Sequence, residues 1–256
     1  MKEGAEADWL LMGVSVPLFA ETVMGLELDD IQRELLASDS KKVLLNCARQ
    51  WGKSTMAAVK CVHRALYWPE SLALILSPSS RQSAELVMKA RRMCWRVGER
   101  VKGDGENPAS IVLANGSRIV GLPARERTTR GFSNASLVIV DEASRVDDEE
   151  YYSMMATLSR GLGDLWLMST PHGPTGFFWK EWSEGDGWLK VRATAEECPR
   201  TSREFLAAQR KGMTEDFYKQ EYECDFLSGE DSFVKLENVH GNFSERWSDL
   251  GLRLRF

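Results

Sequence analysis

Apolar residues fall in short unbroken runs along this chain, separated by longer stretches with a helical repeat. The run VLLNCA at 43–48 reads as a strand buried on both faces, because a strand with one wet face would alternate polar and apolar residues. After a polar turn, KSTMAAVKCVHRALYW (53–68) has helical spacing and stops before Pro69. A second run, LALILSP (72–78), leads into a long helical pattern, SRQSAELVMKARRMCWRVGER (80–100). SIVLANGSRIVGLP (110–123) reads as a hairpin with Asn115-Gly116 as its tight turn. SLVIVDEAS (136–144) is a further buried strand ending in acids, followed by the helical DDEEYYSMMATLS (147–159). Two more strands, DLWLMSTP (164–171) and WLKVRATA (188–195), flank the helix-like PTGFFWKEWSEG, and residues 200–226 have a helical look. Strands alternating with helices predict a doubly wound α/β sheet, mostly parallel, in which ligands bind beyond the carboxyl ends of the strands. No internal repeat or low-complexity run interrupts the pattern, which weakens into an expected linker or tail beyond Gly229.

Composition narrows the partners more than the fold. A chain of 256 residues that is 43% hydrophobic and 28% charged can bury one large core, or one core and a small appendage. A formal charge of −5 argues against a protein that coats nucleic acid non-specifically, but leaves room for local basic patches. The five cysteines, Cys47, Cys61, Cys94, Cys198 and Cys224, are scattered and never spaced C-x-x-C, which fits reduced thiols better than disulfides or zinc. The apolar stretch WLLMGVSVPLFA is too short to span a bilayer and follows acidic rather than basic residues, so a soluble, cytoplasmic protein without a membrane partner is expected.

Candidate chemistry lies where the strands end. LLNCARQWGKST (44–55) matches the phosphate-loop pattern G-x-x-x-x-G-K-[ST], except that Cys47 replaces the first glycine. Gly52, Lys53 and Ser54 supply the remaining elements: close backbone approach, a neutralising cation and a hydroxyl for Mg²⁺. A Gly-Lys-Ser string also opens ordinary helices, but the apolar LVIV ending in Asp141 and Glu142 changes the balance. Asp141 would hold Mg²⁺ through water, and Glu142 would orient and help deprotonate the attacking water. A strand inserted between the loop strand and the acidic strand, with a glutamate beside the aspartate, marks the ATPase group that includes helicases and translocases. Ser169, Thr170 and Pro171 follow the next strand; they would face the γ-phosphate, or they simply make a turn.

Together these motifs resemble the ATPase domain of the large terminase subunit of tailed bacteriophages, which pumps viral DNA into preformed capsids. The likeness rests on Cys47-Ala48-Arg49-Gln50-Trp51-Gly52-Lys53-Ser54 as a C/S-x-R-Q-x-G-K-[ST] loop, on VIVDEA, on Ser169-Thr170-Pro171 as the coupling motif, and on Arg130-Gly131 before the acidic strand. It implies an α/β P-loop NTPase of RecA-like (ASCE) fold, a mostly parallel sheet flanked by helices with a small helical C-terminal subdomain. It assigns residues 1–27 to an N-terminal extension, 28–198 to the ATPase core, 199–230 to a helical linker subdomain and 231–256 to a tail too short for the RNase H-like nuclease domain, so DNA cutting is not expected. ATP would be bound by Gln32, reading the adenine edge, and by the loop from Cys47 to Thr55. Mg²⁺ would be held by Ser54 and Asp141. Catalysis would fall to Glu142 with Arg49 or Arg130 as the arginine finger, the latter supplied by a neighbouring subunit. The implied partners are double-stranded DNA, the portal, the small terminase subunit and further copies in a ring, typically pentameric, in the host cytoplasm.

A face of Lys89, Arg92 and Arg96 offers a possible phosphate contact for DNA. Two other readings share the motifs: a superfamily-two helicase core, whose second RecA-like domain has no room here, and a nucleotide-gated docking module without turnover.

Overall fold

The computed structural model describes residues 3–125, 132, 134–158 and 163–227, with side chains from residue 8 onward and excluding those of 156–158. Helices α1 (Glu3–Val14), α2 (Val16–Thr22) and α3 (Asp30–Ala37) precede strand β1 (Lys42–Cys47). Next come α4 (Lys53–Tyr67), β2 (Leu72–Ser77), α5 (Ser80–Arg96), the pair β3 (Ser110–Val112) and β4 (Arg118–Pro123), and β5 (Leu137–Asp141). The remainder is α6 (Asp148–Leu158), β6 (Asp164–Ser169), α7 (Gly176–Ser183), β7 (Leu189–Ala193), α8 (Arg203–Gly212), α9 (Glu215–Tyr218) and a π-helical turn at Lys219–Glu223.

Seven strands form one sheet in the order β3-β4-β2-β5-β6-β1-β7, parallel except for β3. Strand β6, which ends at Ser169, stands between β5 and β1, whereas β2, the strand that lies between those two along the chain, sits on the far side of β5. The apolar runs do not alternate because both faces of the sheet are covered. Val43, Leu45, Ile75, Ile139 and Trp166 pack into one cluster with α2 to α5, while Leu44, Leu74, Val138, Val140 and Leu167 pack into another with Tyr151, Met154, Phe177 and Phe178.

One detail differs from the expectations. The hairpin closes through a three-residue connection: Leu113 N–H donates to Ser117 O and Gly116 N–H to Leu113 O, with Gly116 at φ +81° absorbing the left-handed step. The apolar stretch near the start, within the expected N-terminal extension, packs against the core. It folds into α1 and α2, and Met12, Val16, Phe19, Ala20 and Met24 join the core cluster beneath α4.

Candidate active site

The carboxyl ends of β1, β5 and β6 lie side by side, and the sequence-predicted residues converge there. The loop leaves β1 at Cys47, which is fully buried, and burial pushes its thiol up to about 12. Cys47 is therefore a small neutral filler in the place of a glycine, not a nucleophile. The next two amides are taken by neighbouring segments: Ala48 N–H donates to Ala193 O at 2.9 Å and Arg49 N–H to Glu221 O at 3.2 Å. Gln50 (φ 63°) and Gly52 (φ 110°) are both left-handed, which turns the chain sharply into α4. A Cβ at position 52 would stand 3.0 Å from Gln32 Nε2, a tight contact that adds to the demand its φ makes for glycine.

The loop is braced from outside. Trp51 is buried, and its carbonyl accepts from Gln32 Nε2 at 2.9 Å and from Arg200 Nη2 at 2.8 Å. Gln32 also completes a capping box with Asp29, its Oε1 accepting the Asp29 N–H at 3.3 Å while Asp29 Oδ1 accepts the Gln32 N–H at 2.8 Å. Arg200 pairs with Asp29 Oδ2 at 2.9 Å. In this arrangement the carboxamide expected to read adenine is buried and engaged by the chain itself.

Lys53 and Glu142 meet across the cavity at 3.1 Å. Burial would lower the Lys53 ammonium, yet its neighbours, Cys47 first and then Glu142 and Asp141, outweigh it and hold the group above its ordinary value. Asp141 is pushed up to about 6, first by burial and then by the adjacent Glu142 charge, against the pull of Lys53 and of the Glu142 N–H. That N–H donates to Asp141 Oδ1 at 3.1 Å, and Glu142 itself adopts φ 52°, ψ 45°, a strained conformation for a non-glycine residue. Ser169 Oγ lies 3.4 Å from Glu142 Oε2 and 2.7 Å from Ser144 Oγ, and Ser144 donates to Thr170 O at 2.8 Å. The expected coupling residues Ser169 and Thr170 thus contact the acidic strand end, with Pro171 buried behind them.

A cavity of about 760 Å³ opens over this constellation, lined by Arg49, Gln50, Gly52, Lys53, Ser54, Thr55, Glu142 and Thr170. Its other lining residues, Gln82, Lys89 and Arg145, were not expected from the sequence. Lys89 donates to Thr55 Oγ1 at 3.3 Å, and Arg96 donates to Met24 O. The supposed DNA-facing row on α5 is therefore divided, because Lys89 turns into the nucleotide-sized cavity and Arg96 is tied to backbone. Arg49 reaches the cavity rim while its guanidinium is gripped by the buried Glu221 carboxylate. Arg127, Arg130 and Gly131 lie outside the described residues, as does the tail from 231.

Four cations, Arg49, Lys53, Lys89 and Arg145, around one open cavity at a helix N-terminus suit a polyphosphate. Ser54 and Asp141 also border a smaller recess together. One hydroxyl and one carboxylate fit Mg²⁺, which keeps most of its waters and takes further ligands from phosphates. Among the described residues no cluster of three or more His, Cys, Asp or Glu side chains could hold a metal by itself. No described helix is long and apolar enough to cross a membrane.

Comparison with known proteins agrees with this geometry. Residues 44–239 match the family described as terminase large subunit, T4likevirus-type, N-terminal. The terminase large subunit of Escherichia phage T5 is 24% identical over 205 residues, which is 75% of this chain and 46% of that protein. The chain thus spans about half the length of that curated relative. Among solved structures, the large terminase ATPase domain of Thermus phage P74-26 superposes with a TM-score of 0.69 at 22% identity, covering 81% of this chain and 97% of that one. The large terminase of a thermophilic bacteriophage in complex with ATP-γ-S gives 0.63 at 14% identity, covering 84% of this chain and 52% of that one. That of bacteriophage HK97 gives 0.61 at 17%, covering 80% and 50%. At these identities the structures establish the shared fold, and the family match over most of the sequence establishes descent: the chain belongs to the family of T4likevirus-type terminase large subunits, within their N-terminal region.

Proposed function

We propose that this chain is the ATP-hydrolysing motor domain of a viral terminase, driving double-stranded DNA into a procapsid. The observation that carries the reading is the meeting of Lys53 with Glu142, beside Asp141, in one polyphosphate-sized cavity of a terminase-family chain. The complex of a structurally similar large terminase with ATP-γ-S supports the choice of nucleotide.

Lys53 neutralises Glu142. A triphosphate entering the cavity offers Lys53 a denser negative charge, so the lysine transfers to the phosphates and releases the carboxylate. Freed Glu142, aimed by its left-handed backbone and by Ser169, then orients the attacking water and takes its proton. The amides of the first turn of α4 receive phosphate oxygens. Ser54 and, through water, Asp141 would hold Mg²⁺, which when bound offsets charge on the transferring phosphoryl group. Arg49, and Arg130 from a neighbouring copy, are the two candidates for the cation that stabilises the transition state. A ring, pentameric by family habit, would bring that neighbour into place in the host cytoplasm, with the portal and small subunit as partners. Residues 28–198 would serve as the catalytic core and 199–230 as a helical linker subdomain.

The test is phosphate release by purified protein, with and without duplex DNA, for the native chain and Glu142→Gln. Native turnover should fall by about 10²–10⁴-fold in the variant while ATP still binds. Native protein that binds ATP yet never releases phosphate, even with DNA and partners, would make the chain a nucleotide-gated docking module instead.

A further inference from the structure

Beyond β5 the chain makes a single 3₁₀ turn, Ala143–Arg145, entered by Glu142 in its left-handed conformation. Arg145 closes that turn, its N–H donating to Glu142 O at 2.9 Å, and it lines the nucleotide cavity together with Glu142 and Thr170. The backbone beneath it is fixed from both sides. Ala143 and Val146 are buried in the core, while Ser144 Oγ donates to Thr170 O at 2.8 Å and lies 2.7 Å from Ser169 Oγ. The turn is thereby fastened to the end of β6, and the Arg145 side chain projects from a rigid base.

The four cations of the cavity differ in what already holds them. Glu221 grips Arg49, Glu142 pairs with Lys53 at 3.1 Å, and Lys89 donates to Thr55 Oγ1 at 3.3 Å. Arg145 is exposed and makes no hydrogen bond or ion pair among the described residues. An incoming anion can therefore engage Arg145 without breaking a contact, whereas each of the other three must first leave a partner. The place of Arg145 also says which part of a nucleotide it meets. A triphosphate lying on the first turn of α4 has its reacting phosphoryl group between Lys53 and the water oriented by Glu142. Arg145 stands one turn beyond Glu142 on the same wall, at the end that a diphosphate does not reach. Its planar guanidinium can give two parallel hydrogen bonds to one phosphate. We propose that Arg145 contacts the γ-phosphate within its own chain, and so makes this site tell a triphosphate from a diphosphate. The proposal rests on reading the cavity as an ATP site.

The experiment measures ATP-γ-S and ADP affinities by calorimetry, with Mg²⁺, for the native chain, Arg145→Ala and Arg145→Lys. The protein is kept at concentrations where sedimentation shows it to be monomeric. Arg145→Ala should weaken ATP-γ-S by about ten- to a hundredfold and leave ADP unchanged, which also shows that the variant is folded. Arg145→Lys keeps the charge but not the paired donors, so it should recover part of the loss, again for ATP-γ-S alone. Equal weakening of both nucleotides, or of neither, defeats the proposal. A selective loss that appears only once the chain self-associates would place Arg145 in a neighbour's site and overturn it as well. Because the readout is binding and not turnover, the two levels separate. Native protein that binds ATP-γ-S but releases no phosphate from ATP sinks the hydrolase reading and leaves the Arg145 contact standing or falling on the affinity ratio. Native protein that binds neither nucleotide removes both.

Discussion

The Arg49 guanidinium, at the rim of the nucleotide cavity, is held by the carboxylate of Glu221, a residue 172 positions later that is 1% exposed on its side chain. The Arg49 amide donates to the Glu221 carbonyl as well, so side chain and backbone both tie the phosphate loop to the π-helical turn. The other carboxylate oxygen of Glu221 is buried without a hydrogen-bond partner. Removing the arginine alone therefore strands a buried negative charge, whereas removing both charges does not. Arg49→Ala should destabilise the fold by about 1–3 kcal/mol, and Glu221→Gln in the same chain should restore most of that loss. Urea denaturation of the two single variants and the double variant measures the coupling, and purely additive effects would show that the pair carries no stability. Because Arg49 cannot face Glu221 and a γ-phosphate at once, Glu221→Gln should also tighten ATP binding modestly.

Asp141 predicts a pH dependence of the nucleotide-free protein. Its folded value of about 6 lies above the ordinary 3.8, so between these limits the folded state binds more protons than the unfolded one. Stability contributed by this group is greatest below about pH 4, declines as pH rises towards 6, and is level above that. Asp141→Asn should accordingly raise unfolding free energy at pH 7 by on the order of 2 kcal/mol, with the gain vanishing near pH 4. Chemical denaturation in the presence of a chelator at both pH values tests this. The same variant should lose Mg²⁺-dependent turnover, placing function and stability in opposition at one side chain.

Lys89 yields a prediction that sequence alone would assign to DNA. It points at Thr55 inside the cavity, and burial lowers its ammonium against the attraction of Asp141. Lys89→Met should weaken ATP binding by about tenfold through the loss of one phosphate-facing charge, while Arg92→Ala, on the exposed side of α5, should leave it unchanged. Titration with a fluorescent ATP analogue distinguishes them. Equal effects would mean that the cavity does not select by charge.

The legible parts of this site are those whose chemistry is written in consecutive residues. Cys47 to Thr55, Asp141-Glu142 and Ser169-Thr170 each close a strand, and parallel strands covered on both faces must present their ends together, so order along the chain was enough. Gln82, Lys89 and Arg145 escaped because whether a helical residue faces a cavity depends on the rotation of its helix against the sheet. Glu221 escaped for a stronger reason: nothing in a glutamate of a helical C-terminal stretch marks it as the partner of a loop 172 residues earlier. The hairpin was placed correctly in the chain, but its three-residue connection depends on one hydrogen bond, Leu113 to Ser117, that Asn115-Gly116 does not dictate.

Gln32 brings the two levels into direct conflict, and substitution can decide between them. The family resemblance makes its carboxamide a reader of adenine, whereas the structure spends that group on Trp51 O and the Asp29 amide. If bracing is its work, Gln32→Ala removes one buried hydrogen bond to the phosphate loop and one half of a capping box, for a loss of about 1–2 kcal/mol in stability. The loosened loop then binds all triphosphates less well, because the phosphates, not the base, feel its position. ATP and GTP affinities should fall by the same factor, leaving their ratio at the native value. Gln32→Glu sharpens the comparison: a carboxylate still accepts the Asp29 N–H but cannot donate to the Trp51 carbonyl, and it meets the Asp29 charge. It should therefore be at least as damaging as alanine, again equally for both nucleotides. A selective loss of ATP affinity in either variant would show that Gln32 leaves the loop when nucleotide arrives and contacts the base.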